Sequence, residues 1–249
     1  MAEFDNRVQP RTGAAATTAA IDVGLRAYML RVYNYMLAAL ALTGVTAWAI
    51  ANVPEIAALF FAVDPVTHAY GLTLLGMVGI FAPLAFVLFL SFRIQRMSLA
   101  TAQITFWLYA AVMGISIASI LFAFTGESVA RVFFITAATF GAMSLWGYTT
   151  KADLSGMGSF LFMGLIGIII ASVVNMFIGS SMVQWVVSVV GVIVFVGLTA
   201  YDTQKIKESY SVSDDGTIAG KKAVMGALRL YLDFINLFIM LMQLLGNRR

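Results

Sequence analysis

Between Leu154 and Tyr201 the sequence runs for 48 residues without one charged side chain. A helix crossing the hydrocarbon core of a bilayer needs about 20 mainly apolar residues. A run of twice that length implies two consecutive spans, and Gly179-Ser180-Ser181 supplies helix-breaking residues for the turn between them. The rest of the chain agrees: 61% of residues are hydrophobic and 11% charged, against about 25% charged in soluble domains. Such a chain takes lipid as its solvent. With no cysteine and a single histidine, His68, disulfides, thiolate metal sites and His-cluster metal sites are excluded. The net charge of +3 is read as a surplus of Lys and Arg on the cytoplasmic side of a membrane, not as a nucleic-acid surface.

The same criterion places spans at about 32–53, 70–92, 103–124, 131–149, 157–179, 183–204 and 225–246. The expected fold is an all-α integral membrane protein with seven transmembrane helices in one domain, 32–249. Residues 1–31 are read as a cytoplasmic tail. Met1–Ala20 is polar and unlike a signal peptide, and is expected to be disordered. Ile21–Tyr35 is amphipathic, with Arg26 and Arg31, and is expected to lie on the membrane surface.

Seven spans sort the 15 Lys and Arg into two groups. Arg7, Arg11, Arg26, Arg31, Arg93, Arg96, Lys151, Lys205, Lys207, Lys221, Lys222 and Arg229 share one side. Arg131, Arg248 and Arg249 take the other. The positive-inside rule puts the N-terminus in the cytoplasm and the C-terminus outside. Trp48 and Trp185 near outer span ends, and Trp107 and Trp146 near inner ends, fit an aromatic belt. The pairs Ala137/Gly141 and Gly167/Ala171 are spaced to let helices approach closely.

Two carboxylates interrupt the apolar spans, Asp202 and Asp233. They fall near the same membrane face on consecutive helices. A charge at mid-bilayer costs about 2.5–3.5 kcal/mol on insertion scales, and such residues usually face the bundle interior. Arg229, Asp233, Asn236, Met240 and Gln243 step by four, three, four and three, which gathers them on one helix face. Gln184, Ser188, Thr199 and Asp202 do the same one helix earlier. The two faces are expected to meet, with Arg229, Asn236, Gln243, Thr199 and Ser188 as pore-lining candidates. Two facing carboxylates share a proton, and raising the pH or adding a cation breaks the pair. The bland alternative pairs Asp233 with Arg229 and Asp202 with Lys205 as ion pairs at headgroup level.

Three segments carry a resemblance: Gly147-Tyr-Thr-Thr-Lys-Ala-Asp-Leu-Ser-Gly-Met-Gly-Ser159, Ala200-Tyr-Asp-Thr-Gln-Lys-Ile206 and Ala227-Leu-Arg-Leu-Tyr-Leu-Asp-Phe-Ile-Asn-Leu-Phe238. Together they resemble the Bax inhibitor family, near its bacterial YccA-like branch, over nearly the whole chain from Arg31. The resemblance implies a bundle with the last helix central and surrounded by the other six. It also implies a proton-regulated calcium leak gated by the pair Asp202 and Asp233, with weak calcium contact at those two residues. An arginine from the second span is implied as a latch; Arg93 and Arg96 are the candidates, and Arg93 is preferred. Calcium-conducting relatives resemble one another in a further acid within the second span, and residues 65–92 here have none. Branches resembling this chain are also tied to regulation of a membrane protease and to stress protection.

An intramembrane aspartyl protease would need its second aspartate after a glycine-rich motif, whereas Leu230-Tyr231-Leu232 precedes Asp233. A proton-coupled transporter would be expected to show inverted repeats, and no clear repeat is seen. The expectation is a non-enzyme without cofactor, with calcium as the transported ion and the bilayer as partner.

Overall fold

The computed structural model describes residues 12–63 and 70–249, with side chains described for 23–62 and 71–249. Met1–Arg11 and His68 lie outside the described residues.

Helix α1 runs unbroken from Thr12 to Asn52. A short helix α2 (Pro54–Phe60) follows, with proline in its first turn, and leads into strand β1 (Phe61–Val63). Strand β2 (Tyr70–Leu72) pairs antiparallel with it, Phe61 opposite Leu72. Six long helices complete the chain: α3 (Leu74–Arg93), α4 (Leu99–Ala123), α5 (Gly126–Thr149), α6 (Ser155–Ile178), α7 (Ser181–Glu208) and α8 (Gly216–Leu245). Each of Thr73, Ser98, Thr125, Ser180 and Asp215 caps the helix after it by accepting a backbone N–H, as N-cap residues do. Gly179 ends α6 with φ +68°, a conformation that a Cβ disfavours. The predicted turn is therefore present, with Gly179 as the C-cap and Ser180 as the next N-cap.

Seven helices among the described residues are long and apolar enough to cross a bilayer: α1 from Val23, and α3 to α8. The α8 span has 67% of its most apolar stretch buried, against 17–39% for the others, so the last helix is central. It packs on α1, α4, α5 and α7, whereas α3 leans on α4 and α6 on α7. Four helices thus pack closely on α8, and α3 and α6 stand further from it. Tyr231 shows how the centre is tied. Its hydroxyl bonds Thr43 Oγ1 of α1 (2.6 Å), which in turn donates to the Ala110 carbonyl of α4 (2.7 Å).

Several expectations need correction. Ile21–Tyr35 is not a separate surface segment but part of the continuous α1. Tyr28, Met29, Val32 and Met36 are buried, while Arg26 and Arg31 point outward. Its amphipathic pattern serves packing against α4 and α8. Thr12–Ala20, read as disordered, is helical; an Ala-rich stretch extends a helix readily. The α7–α8 connection is only Ser209–Asp215, because both helices run on through their terminal lysines. The β1–β2 pair was not foreseen. Trp107 is half-buried against Tyr35 and Phe106 rather than belt-like.

The small pairs also miss. A Cβ on Gly141 or Gly167 would meet nothing within 4 Å. Close approach occurs instead at Gly114 on Thr46, Gly147 on the Ala200 backbone and Gly158 on the Tyr201 ring.

The two ends of the bundle are well defined. At one, Tyr28 bonds Ser209, the Lys207 ammonium donates to the Tyr148 carbonyl and Lys221 to that of Gln95. At the other, Phe124 bridges Arg248, and Thr125 N–H donates to the Asn247 carbonyl.

Candidate functional site

The three sequence segments singled out above converge at the first of these ends. Gly147 lets α5 lie directly on the Ala200 backbone of α7, and Gly158 lets α6 sit under the Tyr201 ring. Gln204 closes the arrangement. Its amide donates to the Ala152 carbonyl (2.8 Å) and its Oε1 accepts from Leu154 N–H (2.9 Å). The turn between α5 and α6 is thereby fastened to α7 on both sides of Asp202, which fixes the depth and direction of that carboxylate.

Asp233 approaches from α8. It is 4% exposed, and its Oδ2 is fully buried with no donor facing it among the described residues. The Asp202 and Asp233 side chains lie within hydrogen-bonding reach of each other. Two carboxyls form a hydrogen bond only when one carries a proton. The Arg229 guanidinium stands 3.8 Å from Asp202 Oδ1, its side chain 54% exposed. At that distance and exposure it is a screened cation beside the pair rather than a tight buried ion pair.

The pair opens onto a cavity of about 950 Å³. Arg229, Asp233, Asn236 and Met240 line it along α8, together with Asp202 and Tyr201 of α7. Pro83 of α3, Tyr109 of α4 and Phe162 of α6 complete the walls. The cavity occupies the space left because α3 and α6 each lean away from α8. The Tyr109 hydroxyl, at the cavity, is buried without a hydrogen-bond partner among the described residues. Nothing in its apolar surroundings marked Tyr109 in the sequence, and reasoning from charge alone misses it.

The expected meeting of the α7 and α8 faces is present for Asp202, Asp233, Arg229 and Asn236. Three other candidates do not reach the cavity. Ser188 and Thr199 are fully buried, and each donates to the carbonyl one turn back in its own helix, Gln184 and Phe195. Intrahelical bonding is the usual way for hydroxyls in apolar helices to satisfy themselves. Gln243 lies beyond the cavity and accepts from Arg248. Arg93 and Arg96 are exposed, and among the described residues neither makes an ion pair. The cation beside the acids is Arg229 of α8, not an arginine of the second span. The bland pairing also fails: Lys205 binds Glu208 (2.7 Å), and Arg229 reaches across to Asp202.

This geometry defines a class: a seven-helix membrane protein whose central last helix joins an acid to one on the preceding helix at a cavity. A profile of the family described as "Inhibitor of apoptosis-promoting Bax1" matches residues 25–249, and the chain belongs to this Bax inhibitor family. It is 46% identical to the inner membrane protein YbhL of Escherichia coli, covering 98% of this chain and 97% of that protein. It is 50% identical to the protein RP147 of Rickettsia prowazekii over 92% of both chains. A relative in Borreliella burgdorferi is 41% identical, over 89% of this chain and 92% of its own length.

Proposed function

We propose that the chain is a pH-sensitive leak pathway for calcium in a bacterial inner membrane, gated by Asp202 and Asp233. The observation that carries this reading is the pairing of the two carboxyls at the head of a cavity lined along α8. Below the pH at which the pair gives up its shared proton, the hydrogen bond ties α7 to α8. Above it, two like charges in a low-dielectric setting repel, and the helices part. Among the described residues no group of three or more acidic or histidine side chains assembles. Two carboxylates offer at most four of the six to eight oxygens that calcium takes. Calcium is therefore passing cargo here, not a resident ion.

The test is calcium flux into proteoliposomes over a series of pH values from acid to alkaline. Flux is expected to rise with pH. A rate equal to that of empty vesicles throughout would end the conduction reading.

A second reading is favoured by one observation: α3 brings no acid to the cavity, and Arg229 does bring a cation. In that reading the chain is a non-conducting regulator of a membrane protease. Co-purification with such a protease, and altered turnover of its substrates on deletion, distinguishes it. Protease activity of the chain itself is disfavoured because Leu230-Tyr231-Leu232, not a glycine-rich motif, precedes Asp233.

For orientation we infer a cytoplasmic N-terminus and a periplasmic C-terminus. The bundle end that gathers Arg93, Arg96, Lys151 and the lysines of α7 and α8 is the cation-rich one. A periplasm-dependent phosphatase fused after Arg249 is expected to be active; an inactive fusion at normal expression would reverse the assignment.

A further inference from the structure

The bundle carries a second cavity, on a side of α8 that does not face the acid pair. Helix α1 packs on α4 and α8, and α5 on α7 and α8, which leaves a groove of about 630 Å³ between α1 and α5. Ala137 and Gly141 of α5 keep it open, and a Cβ on Gly141 would touch nothing. Its outer rims, Leu30, Leu37 and Leu145, are 51%, 59% and 64% exposed. Its back is Phe234, the chain neighbour of Asp233. The floor is closed by a hydrogen-bond relay across three helices: Tyr33 to Ser144 (2.6 Å), and Ser144 to Thr203 (2.9 Å). These hydroxyls satisfy one another, so the groove presents an apolar channel.

One end of the channel is different. Arg26 lines it two residues before Tyr28, which bonds Ser209 at the cation-rich end of the bundle, the level at which lipid headgroups lie. Its side chain is exposed, and among the described residues it has no acidic partner. The volume is smaller than three turns of a helix about 10 Å wide, so an added transmembrane helix does not fit. An apolar slot open to the bilayer with an exposed guanidinium at its mouth suits a chain with an anionic head.

We propose that this groove is a binding site for one anionic phospholipid, its acyl chain between α1 and α5 and its phosphate at Arg26. The site is independent of the leak reading, since no residue lining this groove also lines the cavity at the acid pair.

The experiment is native mass spectrometry of the full chain from mixed micelles containing equal phosphatidylglycerol and phosphatidylethanolamine. Wild type is expected to retain one phosphatidylglycerol in preference to phosphatidylethanolamine. Arg26→Gln is expected to lower that preference about fivefold, the effect of one basic side chain at a charged lipid surface. Gly141→Leu fills the slot and should abolish retention of either lipid. Gly167→Leu adds the same side chain at an exposed α6 position where a Cβ also meets nothing, and should retain the lipid as wild type does. Equal retention of the two lipids by wild type would overturn the proposal. So would undiminished binding in Gly141→Leu, or equal loss in Gly167→Leu.

Discussion

Replacing Asp233 with asparagine is expected to abolish the pH response of calcium flux and hold it at the acid-pH level, on the order of tenfold below wild type at pH 8, the change that about 1.4 kcal/mol produces. The argument runs from burial. Asp233 is 4% exposed, and one of its carboxyl oxygens meets no donor among the described residues. When both acids ionise, that oxygen carries charge with nothing to stabilise it except the screened Arg229 guanidinium 3.8 Å from the other carboxylate. The result is repulsion between α7 and α8 at one point. An asparagine amide cannot ionise, and its NH₂ donates to Asp202 at every pH. The bridge that the acid pair makes only when protonated then becomes permanent. Asp202→Asn should give the same loss of pH response. Flux that still rises with pH in both variants, at wild-type amplitude, would show that the pair is not the gate.

Why the pair was legible in the sequence, and its cation was not, has a simple physical basis. An acid in an apolar helix is conspicuous because few segments accept its insertion cost. The phase of α8 and the antiparallel run of α7 then place Asp202 and Asp233 at one depth. Arg229 precedes Asp233 by four residues, which suggests an intrahelical pair. Its long side chain instead crosses to Asp202, and no spacing rule encodes which of two nearby acids a flexible guanidinium takes. Arg93 looked suited as a latch only because it ends an apolar run. A residue at that position can as well face outward, and it does. Ser188 and Thr199 shared a face with Asp202 on the helical wheel, but a hydroxyl can spend its one proton on its own helix, and the wheel does not show this.

The spans were legible for a different reason. Charge-free runs mark where lipid must be, so seven helices follow from seven runs. The ends were not, because a helix does not stop where the bilayer does. Lys205 and Lys207 remain in α7, and Lys221 and Lys222 already belong to α8. The backbone hydrogen bonds of Ser209, which closes α7, and capping by Asp215, which opens α8, set those limits. The short β1–β2 pair rests on three residues a side, too few to leave a readable alternation.

The close contacts among these helices yield the other large expected effect. Between apolar helices in lipid, burial of apolar area gives little net drive, and association rests on packing and hydrogen bonds. Small residues at true contact points therefore matter more than small residues in general. Gly147 is such a point: a Cβ there would come within 2.8 Å of the Ala200 Cα and closer still to its carbonyl oxygen. Both partners are backbone, so no rotamer change can relieve the clash. At Gly197, by contrast, the neighbour is the movable tip of Leu161. Gly147→Leu must push α5 from α7, stretching the Ser144–Thr203 bond (2.9 Å) and loosening the α5–α6 turn that Gln204 holds. Overpacking of this kind costs about 1–3 kcal/mol or more, and a fall in Tm of roughly 5–10 °C is expected by fluorescence-detected unfolding in detergent. Gly141→Leu, where a Cβ meets open space, should leave Tm within about 2 °C, the range of a surface substitution. If the two variants melt together near wild type, α5 and α7 do not touch at Gly147, and Asp202 is held by something other than that contact.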